Sequence, residues 1–213
     1  HLGNRGDLGP GDVQWMTAAH GIIHSEMPQQ SEGRMRGFQL WLNLPSKEKM
    51  KPASYRDIPA DAIPRVALKD GGEAKVIAGT LDLDRNFTSG PVNNAAARLS
   101  TDPLYLDIRL PAGGIFNAPT PVGHNAFLYA YEGSANIGPA GAAKRLPHRA
   151  AGVLSDGDSI RVEAGPEGVQ FLLLAARPLR EPVVQYGPFV MNTREEIEQA
   201  LADFRDGRLA SAA

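Results

Sequence analysis

A seven-residue run in the middle of the chain alternates strictly between apolar and polar side chains, which constrains the possible folds more than any other feature. In Leu104–Leu110 the sequence is Leu-Tyr-Leu-Asp-Ile-Arg-Leu. Because successive side chains of a strand point to opposite faces of a sheet, this run predicts a strand that buries one face only. Further short β-rich runs, separated by Gly, Pro and Asp, occupy residues 37–44, 74–78, 126–132, 159–162 and 169–175.

Many short strands with frequent turn residues predict an all-β sandwich or barrel. The chain of 213 residues contains 23 Gly and 17 Pro, which is enough to punctuate such strands. A single helix is predicted near the C-terminus, because Thr193 and Glu196 have the spacing of a capping box and apolar residues follow at helical intervals. Gly207 is expected to end this helix, which would cover a sheet face or the other half of the molecule.

Composition excludes several classes of function. The formal net charge is −2 and the sequence pI is about 6.2, so an electrostatic nucleic-acid or membrane binder is not expected. With no cysteine, the chain has no disulfide framework, zinc-thiolate site or cysteine nucleophile. It also has no apolar run of membrane length and no signal-like N-terminus, so we expect a cytoplasmic location.

An imidazole and a carboxylate two residues apart form the strongest candidate site. His24 and Glu26 follow the apolar, β-branched run Gly-Ile-Ile at residues 21–23. On a strand both side chains would point the same way, and side by side on an inward face they suit a divalent, iron-type site. The alternative is one hydrogen-bonded histidine beside a glutamate at the rim of the barrel.

The other histidines and two aromatic residues are weaker candidates. His20 shares strand parity with His24, but a solvated loop histidine is the favoured interpretation. A second metal site built from His124 and His148 is disfavoured, because neither has a neighbouring ligand in the sequence. Phe38 and Trp41 are candidates for lining a flat aromatic pocket, although barrel cores contain such residues anyway.

A weak internal repeat points to one metal site. The Gly-Asp turns at residues 11–12 and 157–158 are 146 residues apart, and each introduces a similar β pattern. In this register His24 falls opposite Gln170 and Glu26 falls opposite Leu172, neither of which matches the ligand type. The repeat therefore predicts that any metal belongs to the N-terminal half.

Several specific blocks of sequence resemble the pirin family of the cupin superfamily. They are Gly-Asp-Val-Gln-Trp-Met at residues 11–16, Gly-Ile-Ile-His-Ser-Glu-Met-Pro at 21–28, Gln-Leu-Trp-Leu-Asn-Leu at 39–44, Pro-Leu-Tyr-Leu-Asp at 103–107 and Gly-Pro-Phe-Val-Met-Asn-Thr at 187–193. The blocks run in collinear order over nearly the whole chain.

The resemblance implies a bicupin, in which two antiparallel, jelly-roll-like β-barrels are followed by a C-terminal helix. The corresponding domains are residues 1–60 for the rest of a metal-binding barrel and its linker, 61–192 for a barrel without metal ligands, and 193–207 for the helix. Pirins hold one iron with three histidines and one glutamate, of which His24 and Glu26 match two. The other two lie in an upstream His-x-His motif, which this sequence lacks, so we interpret the chain as a fragment missing its N-terminal segment.

The resemblance also implies two possible functions. The first is a dioxygenase, of quercetin 2,3-dioxygenase type, that uses one divalent metal, Fe2+, to open a flavonol ring with O2. In that function Glu26 is the expected general base, because the flavonol 3-hydroxyl must lose its proton. The second is an iron-containing, redox-sensing protein that regulates a transcription factor or an enzyme partner. Neither function requires direct contact with nucleic acid or a membrane.

Overall fold

The computed structural model describes residues 6–29 and 31–209, and within them the chain is mostly β with one α-helix. Two single-turn 3-10 helices, Ser46–Glu48 and Ala60–Ala62, lie between strands. The described part of the chain has no helix long and apolar enough to cross a membrane. The strands and the helix are β1 (Val13–Thr17), β2 (Ser54–Ile58), β3 (Arg65–Ala67), β4 (Glu73–Ala78), β5 (Thr80–Leu83), β6 (Asn86–Ser89), β7 (Leu104–Leu110), β8 (Ile115–Pro119), β9 (Asn125–Ile137), β10 (Lys144–Leu146), β11 (Ala150–Val153), β12 (Ser159–Ala176), β13 (Val184–Tyr186), β14 (Phe189–Met191) and α1 (Arg194–Arg205).

Contacts divide the chain into two compact units. The described residues of the first unit are 6–7, 14–29, 31–57 and 179–209, and those of the second are 8–13 and 58–178. The C-terminal hairpin and helix thus group with the N-terminal residues.

The second unit is built on one eight-stranded antiparallel sheet. Its hydrogen-bonded order is β10-β9-β12-β7-β4-β3, with β11 added on β9 and β8 added on β12. The path ends at β10 and at β3, so within the described residues this sheet does not close on itself. The prediction of an all-β chain with a C-terminal helix is confirmed at this level.

The core of the second unit lies on the inward faces of the long strands. On β7 the alternation predicted from sequence is confirmed, since its Leu and Ile side chains are buried while Tyr105, Asp107 and Arg109 are not. On β12, which pairs with β7, Phe171 is buried and its ring meets that of Phe116 edge to face at 6.2 Å. The long strands therefore supply most of the apolar burial that stabilises this unit.

The strand β12, which spans 18 residues, has an irregularity of register in its pairing with β9. The pairing of β12 with β9 shifts register between Ala164 and Val169. Gly133 and Gly168 both have positive φ there, at 67° and 80°, and a Cβ on Gly133 would overlap the carbonyl oxygen of Gly168. Glycine accepts both the positive φ and this close approach, so the irregular pairing depends on glycine at these positions.

The two copies of the internal repeat both begin a strand directly after the Gly-Asp turn, but they do not match beyond it. Each Gly-Asp turn precedes a strand that starts two residues after the glycine, β1 in one case and β12 in the other. Gln170 lies within β12, whereas His24 lies in no strand.

The sequence analysis predicted two strands that the described residues do not form. Residues 21–26 and 37–44 have the composition of strands, yet residues 18–45 contain no strand wherever they are described. A β-rich run becomes a strand only when a neighbour completes its hydrogen-bond ladder, and no described strand pairs with either run.

The predicted C-terminal helix is confirmed, including its ends. The hydroxyl of Thr193 accepts a hydrogen bond from the Glu196 N–H at 3.2 Å, and the Glu196 carboxylate accepts one from the Thr193 N–H at 3.0 Å. This is the capping box that the sequence predicts. The helix ends at Arg205, and Gly207 follows with a φ of 72°. Phe204 of the helix meets Phe189 of β14 at 6.4 Å between ring centroids.

Candidate metal centre

His24 and Glu26 lie side by side in the first unit. The distance from His24 Nε2 to Glu26 Oε1 is 3.9 Å, and the two side chains are 43% and 68% exposed. The expectation that both face inward from a strand is wrong in this structure, because the segment carrying them forms no strand. The two groups are nevertheless adjacent, and both are open to a solute.

The donor chemistry of the pair fits a divalent transition metal. Imidazole nitrogen and carboxylate oxygen are both ligands that iron and similar ions accept. Within the described ranges no group of three or more His, Cys, Asp or Glu side chains gathers in one place. The described residues therefore offer two donors, and the assignment of His24 and Glu26 as ligands stays a prediction.

Gln39 contacts the carboxylate of this pair. Its Nε2 donates a hydrogen bond to Glu26 Oε1 at 3.5 Å, across thirteen residues of sequence. The sequence analysis missed this residue as part of the site. Its only signal is the alternation of residues 39–44, which places Gln39 and Trp41 on one face.

Lys49 anchors the chain that follows Gln39. Its side chain is buried in the first unit, and Nζ donates hydrogen bonds to Asn43 Oδ1 at 2.6 Å and to the Val190 carbonyl at 2.9 Å. Burial lowers the pKa of Lys49, while the carboxylates of Glu181 and Glu196 act in the opposite direction. The segment that carries Gln39 is thus tied at Asn43 to strand β14.

The remaining histidines lie elsewhere. His20 is half-buried in the turn after β1, and its backbone N–H donates to the Lys51 carbonyl at 3.1 Å. This is less solvated than expected. In the second unit the His124 side chain is 8% exposed, with Nε2 3.6 Å from Asp102 Oδ2, whereas His148 is exposed.

Several large apolar side chains that lie near His24 and Glu26 in the sequence are exposed. Ile23 is 48% exposed, Phe38 is 44% exposed and Trp41 is 58% exposed, and Met27 and Met35 are more exposed still. Leu40, Leu42 and Leu44 are half-buried and Gln39 and Trp41 are exposed, but Asn43 is half-buried too, so burial follows the alternation only over residues 39–42. Phe38 and Trp41 therefore belong to an exposed surface rather than to a core.

Solved structures define the class of fold first. A crystal structure of a quercetin 2,3-dioxygenase from Acinetobacter baumannii aligns with 94% of this chain and 67% of its own, with a TM-score of 0.75 and 32% identity. Residues 105–210 match the family model described as the Pirin C-terminal cupin domain. The mostly-β architecture is thus cupin-like.

Sequence comparison then gives the family. Residues 1–42 match the family model described as Pirin. A Pseudomonas aeruginosa protein named "Putative quercetin 2,3-dioxygenase PA3240" is 54% identical over 211 residues, which are 99% of this chain and 72% of that protein. Human Pirin is 44% identical over 97% of this chain and 68% of its own length. The chain belongs to the pirin family, as its sequence blocks indicated.

Proposed function

We propose that this protein is a metal-dependent dioxygenase of the pirin type, which opens the flavonol ring of quercetin with O2. The observation that carries the proposal is the 3.9 Å approach of His24 Nε2 to Glu26 Oε1, with both side chains open to a solute. The names of the P. aeruginosa and A. baumannii relatives supply the reaction class. The fold alone would not, because cupin-like folds support many functions.

The proposed cofactor is one divalent metal, Fe2+, with His24 and Glu26 as two of its ligands. In the bicupin arrangement that we propose, residues 1–60 belong to the metal-binding barrel, 61–192 to a barrel without ligands and 193–207 to the helix. When bound, an Fe2+ ion with open coordination positions supplies the place where substrate and dioxygen meet. Gln170, opposite His24 in the internal repeat, is a strand residue whose amide donates to Glu132 Oε2 at 2.7 Å.

Glu26 is the proposed general base. A flavonol must lose the proton of its 3-hydroxyl before oxygen attacks the ring, and a carboxylate oxygen can accept that proton. The Glu26 side chain is 68% exposed, so a solute hydroxyl can reach it. The hydrogen bond from Gln39 uses one acceptor position of Oε1 and leaves the others for the proton.

The exposed apolar side chains of residues 23–41 suit a flat aromatic substrate. Trp41 and Phe38 offer ring faces and edges, which pair favourably with other aromatic rings. Ile23 adjoins His24 in sequence and Met27 adjoins Glu26, so apolar residues flank the polar run of residues 24–26 on both sides. A quercetin molecule carries the same combination of aromatic rings and hydroxyl groups.

Oxygen uptake with quercetin tests the proposal. We expect the iron-loaded protein to consume O2 when quercetin is added, His24→Ala to lose this activity together with tight metal binding, and Glu26→Gln to lose turnover. His148→Ala, which changes an exposed histidine of the second unit, is the matched control and should keep both properties. Full turnover in Glu26→Gln would remove the general-base role.

A second candidate function is a redox-sensing binding protein whose iron alters its affinity for a protein partner. The observation that favours it is the exposure of Met27 at 76% and Met35 at 64%, because exposed apolar side chains in one segment are typical of interaction surfaces. Iron bound through His24 without any O2 uptake would favour this function over the dioxygenase.

A further inference from the structure

We infer that Gln39 is a positioning residue for Glu26, which orients the carboxylate so that it can act together with His24. This inference rests on the proposed metal site and adds to it a residue that lies thirteen positions after Glu26 in the sequence. The side chain of Gln39 acts through the Glu26 carboxylate, to which it donates a hydrogen bond.

The geometry concerns a single oxygen atom. Glu26 Oε1 is the oxygen that lies 3.9 Å from His24 Nε2, and it is also the oxygen that accepts the hydrogen bond from Gln39 Nε2 at 3.5 Å. A carboxylate oxygen has two lone pairs, so one can accept the amide hydrogen while the other remains for a ligand or a proton. Gln39 therefore holds Oε1 on the side of the imidazole without blocking it.

Glu26 needs such a partner because its surroundings restrain it little. The side chain is 68% exposed and its segment forms no helix or strand, so the carboxylate would otherwise sample several rotamers. A side-chain amide is a suitable restraint, since it donates a hydrogen bond without adding a charge that would repel a cation. Partners that hydrogen-bond to a metal ligand commonly change metal affinity 10–100-fold when removed.

One hydrogen bond within the first unit anchors the segment that carries Gln39. Leu40, Leu42 and Leu44 turn to the half-buried side of the segment, which leaves Gln39 on the exposed side. Four residues further on, Asn43 accepts the hydrogen bond from the buried Lys49. Gln39 thus reaches Glu26 from a segment that is anchored at its C-terminal end, at Asn43, by this hydrogen bond.

Cobalt binding tests the inference without depending on turnover. The full-length protein, Gln39→Leu, Gln29→Leu and His24→Ala would each be titrated with Co2+, with the visible d–d absorption recorded as a measure of ligand geometry. Gln29 is an exposed glutamine of the same segment whose amide donates to the Met27 carbonyl, so Gln29→Leu is a matched control. We expect Gln39→Leu to bind Co2+ about tenfold more weakly, with a shifted spectrum, while Gln29→Leu matches the parent protein.

The outcomes separate the inference from the proposed function. Unchanged affinity and spectrum in Gln39→Leu, together with loss of binding in His24→Ala, would overturn the role of Gln39 alone. Unchanged binding in all three variants would overturn both the role of Gln39 and the metal site. The expected Co2+ results combined with no O2 uptake on quercetin would support Gln39 and overturn the dioxygenase. Since the Gln39 side chain is exposed, its replacement should leave folding intact.

Discussion

At the scale of single residues, Tyr105 is a side chain outside the candidate site whose burial changes its ionisation. It lies on β7, on the face turned away from the core of the second unit. Burial, and then the nearby carboxylate of Asp107, raise the pKa of Tyr105 to about 12 from its ordinary value of 10.0. The neutral phenol is therefore favoured in the folded chain.

This shift predicts how stability changes in alkali. The stabilising contribution is complete below pH 10, the ordinary pKa of tyrosine, and it is lost as the pH rises through about 12. A rise in pKa from 10.0 to about 12 corresponds to about 2–3 kcal/mol of unfolding free energy. We expect Tyr105→Phe to reduce the fall in unfolding free energy between pH 10 and pH 12, measured by urea denaturation.

Two other tyrosines make the alkaline measurement specific. The hydrogen bond from Tyr55 to Asp57 raises the pKa of Tyr55 to about 12 as well, so part of the alkaline loss should remain in Tyr105→Phe. Tyr186 is 63% exposed, and Tyr186→Phe is the control that should keep the parent slope. A slope in Tyr105→Phe equal to that of the parent would contradict the argument.

Residue pairs were predictable from sequence only when their contact is local. Thr193 and Glu196 are three residues apart on one helix end, so helix geometry alone brings them together. His24 and Glu26 are two residues apart, and their adjacency survives even though the predicted strand does not. Gln39 and Glu26 are separated by thirteen residues, and their contact depends on how two irregular stretches fold back on each other. No periodicity encodes that contact.

At the scale of elements, Lys49 links three parts of the first unit. It follows the 3-10 helix Ser46–Glu48, bonds to Asn43 before that helix and reaches the carbonyl of Val190 on β14. The backbone N–H of Ser46 adds a hydrogen bond to Glu181 Oε2 at 2.7 Å. These contacts join the segment preceding β2 to the C-terminal hairpin, so Lys49 should matter more for stability than a surface lysine.

We expect Lys49→Met to destabilise the protein by about 1–3 kcal/mol, because it leaves the partly buried acceptors on Asn43 and Val190 without their donor. Lys51→Met is the matched control. Lys51 bonds to Glu48 at 2.8 Å on a partly exposed surface, so its loss should cost less than about 1 kcal/mol. Thermal unfolding of both variants checks the difference, and equal effects would mean that the buried lysine adds nothing beyond a surface pair.

Element prediction succeeded where a run carries its own determinants and failed where it needs a partner. The alternation of apolar and polar residues in β7 predicts which face of the strand is buried, and that face is buried in the structure. Residues 39–44 alternate as well, and their burial follows the pattern as far as Leu42, but no described strand completes a ladder with them. Alternation encodes which side is buried, whereas pairing depends on a second segment.

At the scale of the whole molecule, most of the regular secondary structure and of the apolar core belongs to the second unit. The second unit carries the eight-stranded sheet and the largest cluster of buried apolar residues. In the first unit, described residues 18–45 contain the candidate site but no strand or helix. Regions with few laddered backbone hydrogen bonds open locally at low free-energy cost, so the candidate site belongs to the easily opened part of the chain.

Amide hydrogen exchange tests this distribution and the one-site interpretation together. Without metal we expect the slowest exchange in β7 and β12 and much faster exchange in residues 21–29 and 37–41. A bound ion stabilises the conformation that binds it, so Co2+ should slow exchange in residues 21–29 and leave β12 unchanged. His24→Ala should abolish that slowing. Slowing centred on Gln170 would instead place the metal in the second unit, because Gln170 is the residue that the internal repeat sets opposite His24.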